Sequence, residues 1–121
     1  MIEGSCHCGK VRFQIEALTP TVTSCNCSIC HRLGALWAYY TAGEVAFTAG
    51  AGVTIPYVQQ GEGMGGLAIH HCPGCGCTTH WSSLKPDIDR MGINARLLDR
   101  ALLDGVRIRR LDGADTWKEL E

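Results

Sequence analysis

The chain has 121 residues, of which 45% are hydrophobic and 19% charged, with a net charge of -1. That length suits one domain over residues 1–121 and leaves no room for two full cores. The near-zero charge gives no long-range attraction to nucleic acid or anionic membrane. The sequence has no run of 18 apolar residues of the kind that spans a bilayer, and the opening MIEGSCHCGK carries no apolar export signal, so a cytoplasmic protein is expected.

In chain order, residues 11–17 alternate, with Val11, Phe13 and Ile15 on one face and Arg12, Gln14 and Glu16 on the other, which predicts a half-buried strand. Residues 28–33 allow one helical turn. Strands are predicted over 36–41, where Trp37, Tyr39 and Tyr40 fall, and over 44–48 and 53–59. The GEGMGG stretch at 61–66 reads as a loop. Further strands are expected at 67–71, 78–82, 89–95 and 106–111. A short helix is expected at 97–103, stopped by Gly105. Short β-rich segments punctuated by glycine predict a mainly β fold, a small sandwich with metal tying its loops.

Eight cysteines in a chain of this size are the compositional anomaly. A reducing cytosol does not keep structural disulfides. The thiols are also clustered, as Cys6 and Cys8; Cys25, Cys27 and Cys30; and Cys72, Cys75 and Cys77. Thiolates converging in close groups suit a soft metal ion. Cys6 and Cys8 from one end, with Cys72-Pro73-Gly74-Cys75 from two-thirds along, would complete four thiolates around a structural zinc. Cys25, Cys27 and Cys30 supply three ligands within six residues, which leaves a fourth corner to water or substrate. Spacing does not assign the ligands uniquely. Cys77 could close the middle set, and both sites would then be structural.

Zn²⁺ with three thiolates carries one negative charge, so a neighbouring cation is expected. Arg32 is the sequence-local candidate and His31 the second, although Arg32 also reads as an ordinary exposed charge. Arg107, Arg109, Arg110 and Lys118 form a modest basic patch. It could meet ligand carboxylates or simply be a solvated strand face. Trp37, Tyr39, Tyr40, Trp81 and Trp117 are expected in the core or a pocket wall. His7 should point away from the metal, and His70 and His71 should face opposite sides of a strand.

The segments GSCHCGKVRF, CNCSICHRLGALWAYY and HHCPGCGCTTHW, in that order, resemble the three signatures of the glutathione-dependent formaldehyde-activating enzyme family, which includes centromere protein V-like zinc proteins. The likeness continues through INARLLD to TWKEL. It implies a β sandwich of the kind shared with methionine sulfoxide reductase B and zinc-binding guanine-nucleotide exchange chaperones, its sheets antiparallel. It implies two zinc ions per chain: a structural one on Cys6, Cys8, Cys72 and Cys75, and a catalytic one on Cys25, Cys27 and Cys30. It also implies a carbon–sulfur lyase joining a small thiol such as glutathione to formaldehyde or a related aldehyde. The sequence departs from the usual family pattern at His31, His71 and Cys77. Two other readings compete with this one. One is a non-catalytic zinc carrier or protein-interaction module. The other is a sulfoxide reductase-like redox enzyme using Cys77, which leaves the middle trio unexplained.

Overall fold

The computed structural model describes residues 1–58 and 66–120. Eleven strands form among them: β1 (Ile2–Ser5), β2 (Arg12–Ile15), β3 (Thr21–Cys25), β4 (Trp37–Tyr40), β5 (Ala46–Ala49), β6 (Ile55–Val58), β7 (Leu67–His71), β8 (Thr78–Ser83), β9 (Met91–Asn94), β10 (Arg107–Leu111) and β11 (Glu119–Leu120). Two short helices join them, α1 (Ser28–Leu33) and α2 (Arg100–Leu103). Strands β1, β2 and β5 make a small sheet, and the other eight make a large one in the order β11-β10-β3-β4-β9-β8-β7-β6. The chain is thus mainly β.

Alternation decides which side chains enter the core. Phe13 and Ile15 from β2 are buried against Ala38 and Tyr40 from β4 and Met91 and Ile93 from β9. The small sheet therefore packs on one face of the large one, as in a sandwich. Tyr40 remains polar at its tip and donates its hydroxyl to the Ala17 carbonyl at 2.8 Å. Because side chains alternate, Trp37 and Tyr39 turn to the opposite face of β4. There they join a second cluster with Ile69, Trp81 and the middle cysteines.

The pairing is antiparallel except at one place. Strand β10 runs parallel to β3, matching Arg107 with Thr21 and Leu111 with Cys25. The expected all-antiparallel sheet is therefore mixed. The reason is the long connection between these strands, which allows a crossover that a tight hairpin cannot make. Three further differences concern individual elements. The predicted helix at 97–103 divides into a 3-10 turn at Ala95–Leu97 and the single turn of α2, which Asp99 caps by accepting from Ala101 N–H at 3.0 Å. Strands β1, β3 and β11 have no counterpart in the sequence-based expectation. The expected loop at 61–66 falls, apart from Gly66, outside the described residues, as does Gln59 at the end of a predicted strand. Among the described residues no helix is long and apolar enough to cross a membrane.

Candidate metal centres and the cavities beside them

Two turns build the first cysteine group. After β1, Cys6 N–H bonds the Val11 carbonyl at 3.0 Å, and Gly9 N–H bonds the Cys6 carbonyl at 3.2 Å. After β7, Cys72 N–H bonds the Cys77 carbonyl and Gly76 N–H the Cys72 carbonyl, both at 2.9 Å. Each turn curls its backbone around a sulfur. Val11 N–H points at Cys6 Sγ at 3.3 Å and Gly74 N–H at Cys72 Sγ at 3.3 Å. Such donors stabilise thiolates. The backbone N–H of Cys77, with that of Cys8, holds the Cys75 thiol down to about 5.

The ligand atoms of Cys6, Cys8, Cys72 and Cys75 lie within 4.8 Å of one another. Cys6 and Cys8 sulfurs are 3.7 Å apart, and Cys8 and Cys72 sulfurs 3.6 Å. Sulfurs about 2.3 Å from a central zinc ion in a tetrahedron would be separated by about 3.8 Å. The quartet fits that ion in donor type, number and spacing, and all eight cysteines are free thiols. Cys77 lies beside this group, packed against Cys6, Cys72 and Val11, rather than beside the middle trio. His7 is exposed and outside the quartet.

The second group is local in sequence. Cys25 ends β3, Cys27 is the N-cap of α1, and Cys30 lies inside α1. All three are buried, with ligand atoms within 4.8 Å of one another. Among the described residues no fourth His, Cys, Asp or Glu joins them. Cys27 N–H points at Cys25 Sγ and Cys30 N–H at Cys27 Sγ, each at 3.5 Å. Trp37 donates its indole N–H to Cys30 Sγ at 3.3 Å. Hydrogen bonding from Cys30 brings the Cys25 thiol down to about 5, and the same pairing, with burial, pushes Cys30 up. These soft, hydrogen-bonded donors fit a zinc ion with one position left for an outside group.

The segment after β10 covers the trio, and sequence reasoning missed it. Gly113 is buried, and a Cβ there would overlap Cys25 Sγ. The position therefore requires glycine for close approach. Its N–H also stabilises the Cys25 thiolate. Asn26 fastens this segment. It donates to Asp112 Oδ1 at 3.0 Å and accepts from Ala114 N–H at 3.0 Å. The available signal was a lone Asp-Gly pair at 112–113, which reads equally well as any turn.

Two cavities share Cys25 and Cys30 as walls. One, of about 230 Å³, is polar and bordered by Ser24, Asn26, His31, Arg96 and Arg110. The other, of about 330 Å³, is bordered by Trp37, Tyr39, Trp81, Trp117, Arg90 and Arg109. Arg32 lines neither. It is exposed and gives Nη1–H to the Ser28 carbonyl at 2.8 Å. Of the basic patch, Arg109 and Arg110 reach these cavities, while Arg107 pairs with Glu119. His70 stacks on His80 with ring centroids 4.3 Å apart.

A crystal structure of a Rhodobacter sphaeroides protein from a structural-genomics programme superposes with a TM-score of 0.70 at 27% sequence identity, covering 88% of this chain and 99% of that one. No curated protein matches the chain at a significant level. The profile described as glutathione-dependent formaldehyde-activating enzyme matches residues 1–109, which takes in both cysteine groups, and the chain belongs to that family.

Proposed function

We propose that the protein is a zinc-dependent carbon–sulfur lyase that joins a thiol such as glutathione to formaldehyde or a related small aldehyde, and splits the adduct in reverse. The observation that carries this reading is the asymmetry between a four-thiol group and a three-thiol group that opens on cavities. Cys6, Cys8, Cys72 and Cys75 would hold a structural ion, and Cys25, Cys27 and Cys30 the reactive one. Zinc at the trio supplies a Lewis acid and a positive charge that favours a thiolate.

The chain's own residues do the positioning. Trp37 N–H and Gly113 N–H fix two of the three sulfurs. Arg96 and Arg110 give the polar cavity a cationic border, suited to the carboxylates of a peptide thiol. A free thiol with pKa about 8.5 is a few per cent thiolate at neutral pH, so complete ionisation is worth only about 2 kcal/mol. Holding thiol and aldehyde together can contribute up to about 7–11 kcal/mol. Positioning is therefore the larger effect. Eight unpaired thiols favour a reducing, cytoplasmic setting.

Exchange NMR of formaldehyde with glutathione, with and without the zinc-loaded protein, tests the reaction. Acceleration at substoichiometric protein is the expected result. An exchange rate equal to that of the protein-free solution would remove the catalytic reading.

A further inference from the structure

Strand β3 ends on Cys25 and Cys27 caps α1, so Asn26 stands between two of the trio's three ligands. Both cysteines are buried, whereas Asn26 is exposed. Its side chain turns away from the sulfurs and meets the strap of residues 112–118, which leaves β10 and returns as β11. The sheet register brings them together. Parallel pairing sets Leu111, the last residue of β10, beside Cys25. Asn26 N–H continues that ladder onto the Leu111 carbonyl at 3.1 Å, which leaves Asn26 and Asp112 side by side.

The strap shapes itself through Asp112. Asp112 N–H bonds the Lys118 carbonyl at 2.9 Å, and the Asp112 carbonyl accepts from Trp117 N–H at 2.8 Å. Its carboxylate Oδ2 accepts from the Thr116 hydroxyl at 2.9 Å. These bonds give the strap a form but do not fix it over the trio. Among the described residues, both side-chain hydrogen bonds between the strap and the trio's loop come from Asn26. Nδ2–H donates to Asp112 Oδ1, and Oδ1 accepts from Ala114 N–H, each at 3.0 Å. Those two partners flank Gly113. The amide therefore holds Gly113 from both sides, where its backbone meets Cys25 Sγ and where a Cβ would lie 3.3 Å from Cys27 Cβ. Gly113 N–H bears on the Cys25 sulfur, and such a donor makes a thiolate a more stable and less reactive anion.

We propose that Asn26 is a positioning residue for the trio, its amide clamping the strap so that Gly113 N–H stays on Cys25 Sγ and keeps that sulfur a metal ligand. The inference rests on the trio holding the reactive zinc, as proposed above, and deepens that reading. Its importance comes from the electrophilic substrate. A bare Cys25 thiolate would add to the aldehyde carbon: a sulfur–carbon bond forms, the carbonyl π pair moves to oxygen, and the alkoxide takes a proton from water. The metal would then lose a ligand. Held under the strap, Cys25 stays out of the addition, which is left to the thiol at the open position.

Two measurements on the zinc-loaded full-length protein read the clamp. In the first, zinc is withdrawn by a chromogenic chelator. Asn26→Ala, at an exposed residue, should release the trio's zinc at least about tenfold faster, the scale on which partners of metal ligands act, and leave the quartet's release unchanged. In the second, cobalt replaces zinc at the trio. The thiolate-to-cobalt absorption of Asn26→Ala should move to longer wavelength, because a sulfur that has lost an N–H donor gives up an electron more readily. Asn26→Asp combined with Asp112→Asn reverses the pair, returns both hydrogen bonds and should restore both readouts. Tyr40→Phe, which removes a hydrogen bond on the core side of β4, should change neither. Wild-type release and absorption in Asn26→Ala, the same changes in Tyr40→Phe, or no recovery in the reversed pair would each overturn the clamp. Failure of the metal reading looks different: the wild type would carry a single zinc per chain, held by the quartet, and the clamp would fall with it. Formaldehyde exchange at the protein-free rate, with the trio's zinc still responding to Asn26, would remove the proposed reaction and keep the clamp.

Discussion

The quartet and the trio contain the same ligand and differ in how the chain supplies it. The quartet joins two turns 64 residues apart, measured from Cys8 to Cys72, so an ion there acts as a crosslink between the β1–β2 hairpin and the β7–β8 turn. The trio comes from six consecutive residues at the end of β3 and the start of α1. An ion there closes almost no loop and adds little by crosslinking. The lesson is that donor type decides whether metal binds, while the path of the chain between donors decides whether binding serves stability or leaves a site for chemistry.

The largest expected effect breaks the quartet. Cys72→Ser, at a fully buried thiol, should remove stabilisation on the order of 10 kcal/mol and leave the chain unfolded by circular dichroism. Cys27→Ser should instead give a folded protein with one zinc per chain by elemental analysis, and unfolding there would erase the contrast. A subtler test of the trio is Gly113→Ala. Its methyl group meets Cys25 Sγ, and zinc at the trio should bind about tenfold to a hundredfold more weakly in chelator competition, with the quartet's ion unaffected.

Acid should act near the quartet through His80, which is buried between the stacked His70 ring and Phe47. Burial, with the His70 charge adding, pushes its pKa down to about 3. The unfolded chain takes up a proton below about pH 6.5, while the folded one does not until about pH 3. Stability from this group is therefore complete above pH 6.5 and is lost as pH falls toward 3. Compared with His80→Leu, the wild type should lose about 2 kcal/mol between pH 7 and pH 5 in urea unfolding. Parallel pH profiles for the two proteins would exclude His80 as the cause. The smallest effect is expected at Arg32. Its exposed guanidinium serves the Ser28 carbonyl, so Arg32→Ala should cost about 0.5 kcal/mol in thermal unfolding and leave thiol affinity unchanged. A weakened thiol complex would return Arg32 to the site.

The trio was legible from sequence because six residues limit where its three sulfurs can reach, whereas spacing alone left open which cysteines join across the 64 residues from Cys8 to Cys72 and where Cys77 belongs. The strands that alternate strongly were legible too, notably β2 through Phe13 and Ile15 and β4 through Trp37 to Tyr40. Strand β3 was not, because Thr21, Thr23 and Ser24 dilute its apolar pattern and its identity comes from its neighbours in the sheet. The closing segment at Asp112 and Gly113 was hidden for the same kind of reason. Its role arises from Asn26, 86 residues earlier, and no local pattern encodes that contact. Arg109 could be read only as one of several charges until β10 was seen to lie alongside β3.

The parallel seam between β3 and β10 also sets a timetable. A ribosome releases Cys25, Cys27 and Cys30 long before Leu111 and Gly113, so the nascent chain carries three bare thiols without the backbone that later shields them. Competence at this locus is thus acquired late in biosynthesis, and oxidants or stray cations have their best opportunity in the interval before that seam zips shut.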